Sequence, residues 1–201
     1  MSRNKIIYGS AFIIILTIII YTLQGEESPE EYHKKILQER EEQDSFMRNN
    51  SESPFSQNSV EYKGLTYFEP DLRYKIKARF DPIEDKKIRK LATSDNQQQE
   101  YLEYGYATFT LDGQQQKLLI LENVQENLLF LAFGDATSAD ETYGAGRYLD
   151  ISHDSGNSIL LDFNMAYNPY CAYSSEYSCP LPPRENLLDV AILAGEKNYD
   201  H

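Results

Sequence analysis

Hydrophobic and polar positions divide the chain into three stretches of different pattern. Residues 6–23 are apolar or weakly polar throughout. As a helix they span about 27 Å at about 1.5 Å per residue, close to the hydrocarbon thickness of a bilayer. Arg3 and Lys5 precede the run, and Glu26, Glu27, Glu30 and Glu31 follow it. The positive-inside rule then keeps the amino terminus in the cytoplasm and puts the bulk of the chain outside. The competing reading is a cleaved signal peptide, which has a shorter apolar core and a small-residue cleavage site. No cysteine near the end of the run supports a lipoprotein anchor. Residues 1–25 are expected to form a transmembrane anchor or signal-anchor, with the membrane contacted through residues 6–23.

The second stretch, residues 26–54, predicts a polar linker helix. Ser28 suits an N-cap, Pro29 the first helical position, and Glu30 and Glu31 the first turn. Tyr32, Ile36, Leu37 and Phe46 form a thin apolar stripe among Glu, Lys, Gln and Arg. The charges read as a solvated face.

The third stretch, residues 55–201, changes period. From Leu72 to Phe80 the chain alternates: Leu72, Tyr74, Ile76, Ala78 and Phe80 face one way, and Arg73, Lys75, Lys77 and Arg79 the other. That is the signature of a half-buried strand in an antiparallel sheet. Its basic face reads as a solvated edge protected by charge, with an anion site as the alternative. Further strands are predicted at residues 88–93, 101–110, 117–122, 128–133, 147–151, 158–163 and 187–193. Asp112 and Gly113 supply the positive φ of a hairpin turn. The unbroken apolar run 128–133 predicts a strand covered on both faces. The chain is therefore expected to be mainly β: an antiparallel β-sandwich or barrel-like domain, preceded by the anchor helix and the linker helix.

Composition narrows the function classes. The net charge is −13, which argues against nucleic acid, because binding to it relies on Lys and Arg neutralising phosphates. Sixteen tyrosines and no tryptophan favour half-wet surfaces and binding-site walls. No metal site is expected: His33, His153 and His201 stand in no ligand motif. No cofactor is expected either, since Gly144, Gly146 and Arg147 lack the rest of a dinucleotide fingerprint.

Two long polar loops hold the candidate chemistry. The first, from residue 134, carries Asp135, Thr137, Glu141, Thr142, Tyr143 and Arg147. The second, residues 162–186, carries Asn164, Tyr167, Asn168, Ser174, Glu185 and Asn186 together with both cysteines. A loop so long and so aromatic is expected to be ordered and functional. If the strands are antiparallel neighbours, the loops meet at one end of the sheet. Their carboxylates and Arg147 then either build a site or hydrogen-bond buried loop backbone. Cys171 and Cys179 are candidates for one disulfide in an exported chain, with buried free thiols as the alternative.

The chain resembles the bacterial and archaeal domain of unknown function 1684 family. The resemblance rests on Asp135 and Thr137, on residues 141–150, on residues 162–174, on Cys179 to Asn186 and on residues 194–197, and extends over about residues 30–199. It implies that both loops, with Glu196, belong to a family signature. It also implies that the cysteine pair recurs in members without export signals, which weighs against the disulfide. It carries no activity across. Two functions stay open. One is a membrane-anchored extracytoplasmic binding or structural module, with a small polar ligand or envelope component as partner. The other is a hydrolase acting on a small polar or envelope-derived substrate. The hydrolase predicts a cleft with Glu141, Arg147, Glu185 or Glu196 at its floor, near Tyr143 or Ser174.

Overall fold

A computed structural model describes residues 28–58, 61–153 and 156–200. The expected anchor at residues 6–23 lies outside the described residues, among which no helix is long and apolar enough to cross a membrane. The chain divides into two units, Met1–Lys35 and Ile36–His201.

Helix α1 (Pro29–Asn49) starts as its sequence predicts. Ser28 Oγ accepts the Glu31 N–H at 3.2 Å, and the Glu31 carboxylate accepts from the Ser28 N–H at 3.3 Å. This reciprocal pair satisfies two of the amide groups that a helix start leaves without intrahelical partners. From Ile36 onward the helix belongs to the β unit rather than to a separate linker. Met47 is fully buried in an aromatic cluster with Phe55, Ala172 and Tyr173. Phe55 comes from the short helix α2 (Pro54–Asn58).

The remainder is mainly β, one curled antiparallel sheet resembling half a barrel. Its strands are β1 (Lys75–Pro82), β2 (Ile88–Ala92), β3 (Gln98–Leu111), β4 (Gln114–Asn123), β5 (Leu128–Phe133), β6 (Arg147–Ile151) and β7 (Ser158–Asp162). The order is β6-β5-β4-β3-β1-β7, with β2 also on β3. Strand β3 is long enough to hold two partners end to end. Its residues 98–102 pair with β2 and residues 105–108 pair with β1. Between them the β3–β4 register slips by one residue, from Glu103 to Gly105, and such a bulge bends a strand. Phe80 packs its ring where a Cβ on Gly105 would lie, at 2.4 Å. Tyr104 beside the glycine stacks on the same ring, with centroids 5.5 Å apart. The β3–β4 hairpin turns on Asp112 (φ 49°) and Gly113 (φ 76°), as the Asp-Gly pair predicts.

One sheet face packs Ala78, Phe80, Phe109, Leu118, Ile120, Leu131 and Phe133 into the main core. The other face packs Leu91, Tyr101, Leu119, Leu121, Phe130 and Ala132. Leu118–Leu121 and Phe130–Phe133 are therefore covered on both sides, as the apolar run of β5 predicts. The basic face of β1 is solvated, with Lys77 and Arg79 exposed. However, β1 is not an edge strand, because β3 and β7 flank it.

Two expectations are corrected. There are seven strands in one sheet among the described residues, not eight, and of the sandwich and barrel-like alternatives the curled half-barrel is nearer the second. The expected last strand, residues 187–193, joins no ladder. Its alternation is real: Leu188, Val190, Ile192 and Ala194 all enter the main core. Its backbone polar groups are taken elsewhere. Leu188 N–H bonds Gly134 O at 2.8 Å, Val190 O accepts from Ala136 N–H, and Ile192 N–H bonds the Asp135 carboxylate at 3.2 Å. The segment is an extended plug laid into the sheet. Replacing Gly105 by Ala should cost about 1–3 kcal/mol, the range for an overpacked core, read as a lower urea midpoint at unchanged m-value.

Candidate functional site

The two polar loops meet, but they meet inside the protein. Arg147, the first residue of β6, is 1% exposed. Its guanidinium donates to Ala194 O, to Glu196 O at 3.2 Å and to Ile192 O at 3.0 Å. It also bonds Asp135 Oδ2 at 2.8 Å. The other Asp135 oxygen accepts the Thr137 N–H at 2.8 Å, the Thr137 hydroxyl at 2.6 Å and the Ile192 N–H at 3.2 Å. Thr142 completes the turn, with its hydroxyl 2.9 Å from that of Thr137. Burial pushes the guanidinium pKa down, and Asp135 beside it opposes that shift. The cluster closes the first loop against the plug.

A second cluster surrounds Glu196, which is also 1% exposed. Its carboxylate accepts from the Asn168 N–H at 3.0 Å, from Asn168 Nδ2 at 2.8 Å and from the Tyr173 hydroxyl at 2.6 Å. Burial raises its pKa to about 7, against the opposing hydrogen bonds from Tyr173 and Asn168 and the charge of Arg147. Asn164 closes a loop in the same manner. It accepts from Asp71 N–H at 2.8 Å and donates to Asp71 O at 2.9 Å.

Asn186 does something less common. Strands β4 and β5 pair Leu121 with Phe130, and continuing that register would pair Leu119 with Ala132. The fully buried Asn186 amide takes those positions instead. It accepts from Leu119 N–H at 2.7 Å and donates to Leu119 O and Ala132 O, each at 2.9 Å.

The other candidates stay apart. Glu141 is exposed and pairs with Lys197 at 3.5 Å. Glu185 is exposed and pairs with Arg89 at 2.8 Å. The Ser174 hydroxyl accepts from Glu176 N–H in an exposed turn. Tyr143, half-buried, points its hydroxyl at Cys171. Among the described residues, the pocket of about 280 Å³ between the loops is lined by Asp135, Ser138, Gly144, Pro182 and Leu187 and does not include Glu141, Arg147, Asn168 or Glu185. Polar density in these loops reports the hydrogen-bonding needs of buried irregular backbone.

An open cleft does exist, on a different wall. It holds about 690 Å³ and lies between the middle of α1, strand β6 and residues 164–180. Five tyrosines line it: Tyr67, Tyr148, Tyr167, Tyr170 and Tyr177. Of the predicted candidates it includes only Asn164, Tyr167 and Cys179. Tyr148 and Tyr167 are coupled by mutual backbone hydrogen bonds of 2.8 and 3.0 Å. Their hydroxyls are committed to Pro180 O and to Asp150 at 2.8 Å. Burial pushes both phenol pKa values up, so they stay neutral. Arg40 forms the helix side. It donates to Phe68 O at 2.8 Å and stacks on Tyr67, 4.5 Å from the ring centroid. Glu39 and Gln43 continue that side. Sequence reasoning missed this wall because Arg40 sits in an unremarkable charge run. Only its tertiary contacts separate it from its neighbours.

Cys171 and Cys179 are free thiols, the alternative to the candidate disulfide. They are nonetheless adjacent, with the Cys171 N–H donating to Cys179 Sγ at 3.1 Å. Among the described residues, no group of three or more His, Cys, Asp and Glu side chains is placed to hold a metal.

Comparison with known proteins adds kinship without activity. A family model described as "Protein of unknown function (DUF1684)" matches residues 60–197. The chain is also similar to the solution NMR structure of an uncharacterized protein from Haloarcula marismortui. The two are 34% identical, with a TM-score of 0.64 over 84% of this chain and 95% of that one. No curated protein matches the chain.

Truncating Arg147 to Leu should destabilise the fold by about 3–5 kcal/mol, since it leaves Asp135 charged and buried without its partner. Glu196 makes a separate prediction. Its folded pKa of about 7 lies above the ordinary 4.5, so the native state holds a proton that the unfolded state has lost. Its contribution is full below about pH 4.5 and declines as pH rises to about 7, by about 3 kcal/mol at about 1.4 kcal/mol per unit. Glu196→Gln should remove that part of the slope, measured as urea midpoints at about pH 5 and about pH 8.

Proposed function

The chain belongs to the DUF1684 family, a family without an assigned activity, and on that premise we propose that it is a binding module for a small polar ligand with a flat or apolar face. The observation that carries this reading is the tyrosine-lined cleft of about 690 Å³. Its volume falls within the roughly 300–1,000 Å³ range of small-ligand sites. Neutral tyrosines offer ring faces for stacking. Such walls suit a sugar ring or an aromatic ring better than a multiply charged ligand. The apolar run at residues 6–23 would tether the cleft to a membrane, with the charge pattern around it placing the cleft outside the cytoplasm.

No comparable observation supports the hydrolase. Glu141 and Glu185 lie away from the cleft on the surface. Arg147 and Glu196 are sealed beneath loop backbone.

Titrating the full chain with a panel of monosaccharides and aromatic acids should give saturable heat for at least one class. Tyr170→Ala or Tyr177→Ala should then weaken that binding about ten-fold, the equivalent of about 1.4 kcal/mol. Binding that survives both substitutions would place the ligand elsewhere. A membrane-impermeant amine label applied to intact cells should modify the lysines beyond residue 60. Protection of those lysines in intact but not lysed cells would overturn the topology.

A further inference from the structure

Cys179 enters the ligand reading above only as a lining residue of the cleft and Cys171 not at all, and their surroundings point to chemistry of their own. The Cys171 N–H donates to Cys179 Sγ at 3.1 Å, which sets the second sulfur against the backbone of the first. Local backbone holds the pair together. Cys171 sits in the 3-10 turn Tyr170–Ala172. Cys179 is fixed to the neck of the sheet: its N–H bonds Ser94 Oγ at 3.1 Å, and its carbonyl accepts the Ser94 N–H at 2.9 Å.

The thiols are not equivalent. Cys179 is buried, whereas Cys171 is only partly covered. The hydrogen bond from Cys179 favours a Cys171 thiolate, the Tyr143 hydroxyl at 3.8 Å adds to this, and burial opposes it. The balance brings the Cys171 pKa down to about 6. The same bond and burial push Cys179 up. Asp95, whose charge adds to that rise, is held at the neck by the Ser178 hydroxyl at 2.6 Å and by the Thr93 hydroxyl. Tyr148 and Tyr101 also face the pair and remain neutral phenols. A partly exposed, activated thiol beside a protonated, buried one is the arrangement that thiol–disulfide exchange uses.

We propose that Cys171 and Cys179 form a redox-active dithiol that reduces small, solvent-accessible disulfides, with Cys171 as the attacking thiol and Cys179 as the resolving one. The Cys171 thiolate attacks one sulfur of the incoming disulfide. That S–S bond breaks, a mixed disulfide forms on Cys171, and the first thiolate leaves and takes a proton from solvent. Cys179 then releases its proton to solvent and attacks Cys171 Sγ. The Cys171–Cys179 bond forms and the second thiolate is expelled. Two electrons have passed from the chain to the incoming disulfide, which ends as two thiols. Closing the pair brings Cys179 Sγ, already 3.1 Å from the Cys171 amide nitrogen, to about 2.05 Å from Cys171 Sγ.

The test uses the reduced full chain and oxidised glutathione at about pH 6.5, followed by intact mass and peptide mapping. The wild type should lose both free thiols and end as an internal disulfide without adduct. Cys179→Ser should stop as a single glutathione adduct on Cys171. Cys171→Ser should react about ten-fold more slowly than Cys179→Ser, in which the serine hydroxyl keeps a donor in place of the Cys179 thiol that lowers the Cys171 pKa. The thiolate fraction rises about 250-fold for a pKa of about 6 against 9, and the lower nucleophilicity of an acidic thiolate offsets all but about a factor of ten. Equal rates in the two single variants would overturn the proposal. So would a wild-type chain that accumulates adducts without closing. Should a variant fail to fold, limited alkylation of the wild type gives the same answer. Cys171 modified first supports the assignment of roles, and Cys179 modified first refutes it.

Discussion

The buried guanidinium of Arg147 is the constraint on which the rest of this fold depends. A curled sheet with one concave side must fill that side with something. Here the filler is an extended segment, residues 187–196, that carries the right apolar alternation but has no neighbouring strand to complete its hydrogen bonds. Arg147 reaches across and takes three of its carbonyls, while Asp135 takes one of its amides and neutralises the charge. Arginine suits this task because its planar fork offers five donors in a fixed geometry. A lysine would present a single point charge to the same carbonyls. The pair is worth little as an isolated ion pair in a low-dielectric interior. Its value here is that it satisfies backbone groups that have no ladder.

The same logic explains the other buried polar side chains. Asn186 stands between β4 and β5 where ladder hydrogen bonds would otherwise run. An amide presents the same donor and acceptor groups as a peptide unit, so it continues the pairing while splaying the strands. Asn164 closes the loop at Asp71, and Glu196 with Asn168 closes the loop beside Tyr173. These residues look like an active site when read in a row, because both active sites and buried irregular backbone demand clustered polar groups. Burial separates the two cases. The polar clusters lie beneath the surface, whereas the open cleft is lined by five tyrosines.

The cleft and the thiols share one structural element. Residues 170–179 form a loop whose aromatic side chains wall the cleft and whose two ends bring the cysteines together. Ser94 and Asp95, at the turn between β2 and β3, anchor that loop through Cys179 and Ser178. The geometry of the cleft wall therefore depends on a turn distant in sequence. Proline at positions 169, 180, 182 and 183 limits the conformations open to the loop, which helps hold an irregular segment of this length.

Local pattern decided a great deal on its own. The helix start at Ser28, the Asp112–Gly113 hairpin and six of the strands follow from capping, turn chemistry and period-2 burial, which act over a few residues. The β1 strand also follows from its alternation, although its expected start at Leu72 gives way to a 3-10 turn. The identity of the family followed from residues 135–150, 162–186 and 194–197. What tertiary structure alone decided was the use of each element. Period 2 at residues 187–193 records which side chains face the core, and it is silent on whether a partner strand exists. The side-chain types of Asp135, Arg147, Asn168 and Glu196 record a need for hydrogen bonds, and only their burial shows that backbone meets it. The cleft was the least legible feature, because it joins the middle of α1 to four tyrosines more than a hundred residues later. Contact between such distant segments arises from how the sheet curls and where α1 docks, and no short-range pattern carries that information.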